Sequence, residues 1–327
     1  MKKTIALIIA ALLTLGCLSA CGSGNEVSAE NSDRLKIVTT IFPEYDWVMN
    51  ILGDNPANAD VTALFDNGVD LHSFQPSVSD ILKISTCDRF ICVGGESDRW
   101  VNEALQDAVN RDMVVINLLD LMGDSVKEEE MTEGMQKETH EGEHEECEIE
   151  YDEHVWLSLK NAILLTENIS EAICRLDPDN ADYYKSNAAE YKNKLNSLDA
   201  EYQAAVSDAS VNTLLFGDRF PFRYLADDYG LSYYAAFAGC SAETEAGFET
   251  ITFLAQKVDE LSLPAVMTIE GSDHHIASAI VRNTRAKNQQ ILTMDSMQSI
   301  TTKDLKAGTS YLSVMEKNLY VLKDALN

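Results

Sequence analysis

Two short stretches of this chain concentrate groups that bind metal ions. One is Asp152-Glu153-His154-Val155-Trp156-Leu157-Ser158, where a single imidazole enters an apolar run, and the other is Asp70-Leu71-His72-Ser73-Phe74-Gln75-Pro76-Ser77. A neutral imidazole offers a lone pair to a divalent cation. Combined with carboxylate in a four- or five-coordinate set it suits Zn²⁺, and added oxygen shifts the preference toward Mn²⁺. A lone His in a loop is more often a hydrogen-bonding surface residue. The chain has only six His, however, and the pattern of elements places His72 and His154 in loops at one sheet edge. Protonating the two imidazoles below about pH 6 is then expected to release the ion.

A third constellation, His140-Glu141-Gly142-Glu143-His144, spells H-E-x-x-H, in which two His one helical turn apart bind zinc and the Glu acts as base. That chemistry needs a buried apolar helix. Gly142 sits at the centre here, Glu138, Glu145, Glu146 and Glu148 surround it, and thirteen Asp and Glu fall between Glu128 and Glu153 against one Lys. The segment reads as a solvated charge run, or as an auxiliary metal loop in which His140 and His144 collect cations weakly. An extracellular zinc metallohydrolase built on His140, Glu141 and His144 is the alternative from another class. His274-His275 opens a helix and reads as a surface pair.

The elements that must position these groups alternate. β-type runs at Leu35–Thr40, Val61–Phe65, Arg89–Val93 and Met113–Leu118 are separated by helical patterns at Tyr45–Leu52, Val78–Ser85 and Arg99–Val109. A second series follows: strands at Thr213–Phe216, Leu231–Phe237, Ala265–Ile269 and Gln290–Leu292, with helices at Tyr224–Tyr229, Glu245–Leu261, Ser272–Lys287 and Tyr311–Leu326. Between the series lie two helical segments, Ser158–Arg175 and Pro178–Ser207. The second carries Tyr183, Ala188, Tyr191, Leu195 and Leu198 as an apolar stripe, and a helix of some 30 residues is roughly 45 Å long. The expected architecture is α/β: two wound α/β lobes joined by a long rigid helix, with a metal in the interlobe cleft at the carboxyl ends of the strands. Glu270, ending the Val266–Ile269 strand, faces that edge, as a ligand or as a cap for Ser272–Lys287.

Composition limits the partners. With 54 Asp and Glu against 25 Lys and Arg, a net charge of −29 repels phosphate and argues against nucleic acid. Lys2 and Lys3, the apolar run Thr4–Leu15 and Leu18-Ser19-Ala20-Cys21 read as a lipoprotein signal, residues 1–21, with Cys21 acylated as the first mature residue. Residues 22–33 read as a tether, 34–165 as an N-terminal lobe that includes the acidic His loop 124–150, 166–210 as a helical linker, and 211–327 as a C-terminal lobe. No later run reaches the roughly 20 apolar residues of a spanning helix, so the expected location is extracytoplasmic, lipid-anchored to the cell membrane. Cys87, Cys92 and Cys174 have apolar neighbours and read as core residues; with no C-x-x-C, a structural thiolate zinc site is not expected.

The two His loops also carry a resemblance. Asp70–Ser77 resembles the Asp-Pro-His-x-Tyr-Glu-Pro-Ser loop, and Asp152–Ser158 the Asp-Pro-His-Val-Trp-Leu-Ser motif, of the zinc and manganese solute-binding proteins of ABC importers. The likeness extends over residues 35–327 and implies four side chains, mostly His, around one divalent ion between the lobes. His72 and His154 match two of them, and Asp295 in Met294-Asp295-Ser296-Met297 matches the Asp of the C-terminal lobe. The family's third His, in His-Asp-Ala-Phe-Gly-Tyr, has no counterpart in Phe216-Gly217-Asp218-Arg219-Phe220-Pro221-Phe222-Arg223-Tyr224, where Asp218 is the nearest substitute. The resemblance implies no enzyme but a monomeric receptor that passes Zn²⁺, with Mn²⁺ as the alternative, to an ABC permease with its cytoplasmic ATPase, and a strut that restricts the lobes to small movements.

Overall fold

The computed structural model describes residues 34–64, 71–106, 108–136, 150–241 and 245–327, and Leu35–Asn327 forms one unit by its internal contacts. Cys21, Asp70, His140, His144 and Cys147 lie outside the described residues.

The first lobe alternates β1 (Lys36–Thr39), α1 (Phe42–Leu52), β2 (Asp60–Ala63), α2 (Val78–Thr86), β3 (Arg89–Cys92), α3 (Trp100–Gln106), β4 (Val114–Asn117) and α4 (Leu118–Met122). Its four strands are parallel in the order β2-β1-β3-β4. Local chemistry starts the helices. At α1, the Glu44 carboxylate accepts the N–H groups of Thr40 and Ile41, and Pro43 occupies the first turn where its missing N–H costs nothing. At α2, Ser77 and Asp80 cap each other's backbone N–H.

The second lobe runs β5 (Thr213–Arg219), α7 (Arg223–Tyr229), β6 (Ser232–Phe237), α8 (Phe248–Leu261), β7 (Ala265–Ile269), α9 (His275–Asn283), β8 (Gln290–Met294), α10 (Thr302–Lys306) and α11 (Tyr311–Ala325), preceded by α5 (Leu159–Leu176) and α6 (Ala181–Ser207). Its strands are parallel in the order β6-β5-β7-β8. The strand order therefore reverses between β1 and β3 in one lobe and between β5 and β7 in the other. Loops diverge there and leave a crevice at the carboxyl ends of the strands.

Two helix boundaries and one buried face differ from the sequence reading in ways that bear on the site. The helix expected over Ser272–Lys287 is confined to His275–Asn283, because Gly271 (φ +75°) and His274 (φ +61°) hold the left-handed backbone that a right-handed helix cannot include. The long helix starts at Ala181, after a separate 3-10 turn at Pro178–Asn180, and is 27 residues long, about 40 Å. Its buried stripe is Tyr184, Ala188, Tyr191, Leu195, Leu198, Tyr202 and Ala205, spaced alternately four and three, so Tyr184 rather than Tyr183 faces the core. The Tyr184 hydroxyl donates to Asp177 while the Tyr183 hydroxyl takes the Asp54 N–H at the surface.

This helix is fastened to both lobes. The Tyr191 hydroxyl donates to Asp46 on α1 at 3.1 Å, and the Tyr202 hydroxyl donates to the Met315 carbonyl on α11 at 2.7 Å. Beside it the lobes share one apolar core in which Trp47 meets Tyr311 edge-on at 5.5 Å between ring centres. Each aromatic buried in such a seam stabilises it by about 1.5–3 kcal/mol. No helix among the described residues is long and apolar enough to cross a membrane.

Candidate metal centre

His72 sits on a 3-10 turn, Leu71–Ser73, in the connection that follows β2, and His154 immediately precedes another, Val155–Leu157, that leads into α5. Their Nε2 atoms approach to 3.3 Å. Two nitrogen lone pairs do not face each other at that separation unaided: a proton or a cation must stand between them. For tetrahedral zinc with Zn–N bonds of about 2.0–2.1 Å, the distance between two ligand nitrogens is about 3.3–3.4 Å.

Each ring is oriented from behind. The Asp152 carboxylate accepts both the backbone N–H and the Nδ1–H of His154, at 2.9 and 3.0 Å, which places the proton on Nδ1 and leaves Nε2 as the lone-pair donor. The His154 ring is wholly buried against Trp156, whose indole N–H donates to the Ser296 carbonyl and whose own carbonyl accepts from Tyr311. His72 Nδ1 lies 2.7 Å from Ser97 Oγ, with Glu153 Oε2 at 3.8 Å. The Ser97 N–H donates to the other Glu153 oxygen, and Gly95 permits this contact because a Cβ there would fall 2.4 Å from that oxygen. Burial holds Glu153 above the usual carboxylate range, against the opposing Ser97 hydrogen bonds.

A third donor completes the cluster. The Sγ of Cys240, just beyond β6 in the second lobe, joins the two imidazoles in a group whose ligand atoms all lie within 4.8 Å of one another. The Cys240 backbone N–H is fixed on Glu129 Oε1 at 2.8 Å. Burial, followed by the charges of Glu129, Asp152 and Glu153, keeps its thiol well above the ordinary range. Gly239 allows this approach: an added Cβ would meet the Phe220 carbonyl at 2.9 Å and the His154 ring at 3.2 Å. Gly239→Ala is therefore expected to push the loop off the His154 ring and weaken zinc affinity roughly tenfold or more, comparable to losing a group that orients a ligand. Calorimetry on the variant checks this, and parent-like affinity would show that the loop stands clear of the ion.

Two carboxylates of the second lobe, Asp218 and Glu270, line the same opening as His72. His72 and Asp218 line a cavity of about 500 Å³ together with Arg219, Phe237, Glu270 and His275. Asp218 follows Gly217 near the end of β5 and accepts the N–H groups of Arg219 and Ile269. Glu270 accepts from the Ser296 N–H, the Ser296 hydroxyl and the Gln298 N–H, at 2.7, 2.8 and 3.0 Å, so it organises the loop after β8 and does not cap α9. Asp295 accepts the Met297 N–H, and its backbone is clasped by the Asn318 amide. Burial and then the neighbouring Glu270 charge push Asp295 up to about 6. Asp218, Glu270 and Asp295 are not part of the His72–His154–Cys240 cluster. His274, half-buried, has its Nδ1 held by the Thr268 hydroxyl, and the exposed His275 is paired with Asp273 and Glu245.

Cys240 is the residue that the sequence reading missed. Cys87, Cys92 and Cys174 are buried as expected, while Cys240 is only half-buried. Its one local signal is its place directly after a strand, at the carboxyl edge where ligands gather.

Comparison with known proteins finds relatives along nearly the whole chain. The chain is 32% identical over 325 residues to the zinc-binding lipoprotein AdcA of Streptococcus pneumoniae, covering 98% of this chain but 60% of that protein. It is 29% identical to the high-affinity zinc uptake system protein ZnuA of Bacillus subtilis, covering 98% of this chain and 96% of that one. The chain thus spans about three fifths of the length of the AdcA relatives it matches. The crystal structure of the Zn(II)-bound ZnuA-like domain of S. pneumoniae AdcA superposes with a TM-score of 0.69 at 29% identity, over 90% of this chain and 99% of that one. Residues 37–325 match the family described as ZnuA, zinc-uptake complex component A, periplasmic, and the chain belongs to that family.

Proposed function

We propose that this protein is an extracytoplasmic receptor that captures Zn²⁺ between its lobes and delivers it to an ABC permease driven by a separate ATPase. The observation that carries the reading is the pair of Nε2 atoms at 3.3 Å, one imidazole buried and oriented by a carboxylate and the other, His72, lining a cavity that the second lobe faces. His72 and His154 hold the ion, and a carboxylate of the second lobe, from Asp218, Glu270 or Asp295, contributes charge when the lobes close on it. Acylated Cys21 anchors the protein to the membrane, and residues 22–33 give it reach. It works as a monomer, since its task is to present one ion to one permease.

Two imidazoles favour Zn²⁺ over the more oxygen-seeking Mn²⁺. Coordination without catalysis is the role, in keeping with the zinc-uptake family to which the chain belongs. The competing hydrolase would draw its zinc from His140 and His144, and deletion separates the two readings. Removing residues 138–148 spares Glu129 and Gln136, whose side chains accept the N–H groups of Cys240 and Gly247. Calorimetry on the shortened protein is expected to give one tight Zn²⁺ per chain, binding Zn²⁺ more tightly than Mn²⁺. Loss of tight zinc with the loop, or a preference for Mn²⁺, would overturn the reading.

A further inference from the structure

We propose that Cys240 is a zinc ligand, so that the ion is held by a His72–His154–Cys240 set in which the second lobe contributes a thiolate. The inference rests on the receptor reading above and specifies its coordination chemistry.

The geometry argues for it on three grounds. First, tetrahedral zinc with a Zn–N bond of about 2.0–2.1 Å and a Zn–S bond of about 2.3 Å sets nitrogen and sulfur about 3.6 Å apart. The two Nε2 atoms already stand at 3.3 Å, and the Cys240 sulfur belongs to a cluster in which one ligand atom from each of the three residues lies within 4.8 Å of the others. Second, the backbone around Cys240 is placed and not loose. Its N–H is fixed on Glu129, and Gly239, with no side chain, lets the main chain rest on the His154 ring. Third, Cys240 is half-buried, unlike Cys87, Cys92 and Cys174, which fill the apolar interior. A thiol placed only for packing would not stand beside two imidazoles.

A thiolate ligand has two consequences. It draws the second lobe onto the ion by direct bonding, since His72 and His154 belong to the first lobe and Cys240 follows β6 of the second. It also makes the set softer, which favours Zn²⁺ and disfavours Mn²⁺ more strongly than imidazole and carboxylate do.

Cobalt(II) in place of zinc makes a sulfur ligand visible, through a thiolate-to-metal charge-transfer band in the near ultraviolet. The full chain loaded with Co²⁺ should show that band. Cys147→Ser should retain it, whereas Cys240→Ser should lose it and bind Zn²⁺ at least about 100-fold more weakly, beyond what a merely orienting residue accounts for. Cys240→His should recover most of the affinity without the band, which guards against a folding defect in the serine variant. A parent complex with no thiolate band, a band lost only in Cys147→Ser, or unchanged zinc affinity in Cys240→Ser would overturn the assignment. Failure of the receptor reading looks different: His72→Ala would then leave zinc affinity intact whatever Cys240 does.

Discussion

Replacing His154 by alanine should abolish high-affinity zinc binding. Structural zinc sites bind with about 10–16 kcal/mol, so each of three or four ligands carries about 3–5 kcal/mol, a loss of roughly 10²–10⁴-fold in affinity. Asp152→Asn should cost less, about 10–100-fold, because it leaves the ligand in place and removes only the negative charge that fixes its tautomer. His154 is wholly buried, so its removal also opens a hole beside Trp156. His72→Ala is the cleaner partner experiment, since that imidazole stands at the cavity mouth with its side chain 12% exposed. Calorimetric titration of the three variants beside the parent gives the order. Parent-like affinity in either alanine variant would show that the ion is held elsewhere.

The second large effect concerns stability against pH. Glu44 is entirely buried at the start of α1, and burial, reinforced by the charge of Asp98, pushes it up to about 8; the N–H groups of Thr40 and Ile41 pull the other way without prevailing. One of its oxygens has no hydrogen-bond partner among the described residues. Asp98, raised to about 6 by burial and by the Glu153 charge, extends the same buried acidic patch. The native state therefore holds the Glu44 proton up to about pH 8, whereas the unfolded chain gives it up above about 4.5. Between those values the folded form binds more protons, so stability falls as pH rises, fully present below about 4.5 and lost through about 8. The span corresponds to roughly 3–6 kcal/mol from this group alone. Glu44→Gln keeps an acceptor for Thr40 and Ile41 and cannot ionise. It should match the parent in urea unfolding at about pH 5 and exceed it by several kcal/mol at about pH 9. Parallel stability curves for the two proteins would show that Glu44 is already ionised in the native state.

Glu44 and His154 show opposite uses of a buried polar group. His154 is buried with its Nδ1 satisfied and its Nε2 directed at another donor atom, an arrangement that becomes favourable once a cation arrives. Glu44 is buried for its contacts with the Thr40 and Ile41 N–H groups and the Thr40 hydroxyl, and its cost is met by keeping the proton. Neither difference is visible in the residue type.

The sequence by itself determined the plan of alternating strands and helices, because strand and helix periodicity are local properties. It also determined that His72 and His154 sit in loops at element boundaries, since Pro, Gly and polar residues mark those turns. Only the tertiary structure decided which face of α6 is buried, with Tyr184 inward and Tyr183 outward, because two adjacent tyrosines are equivalent until the neighbouring helices take one side. It alone cut α9 short at His274 and turned Glu270 toward the loop after β8. It alone set Cys240 beside two imidazoles far away along the chain. Periodicity records the interactions a residue makes with its near neighbours; the meeting of three donors from separate elements depends on how two sheets stack against one strut, and no single segment carries that information.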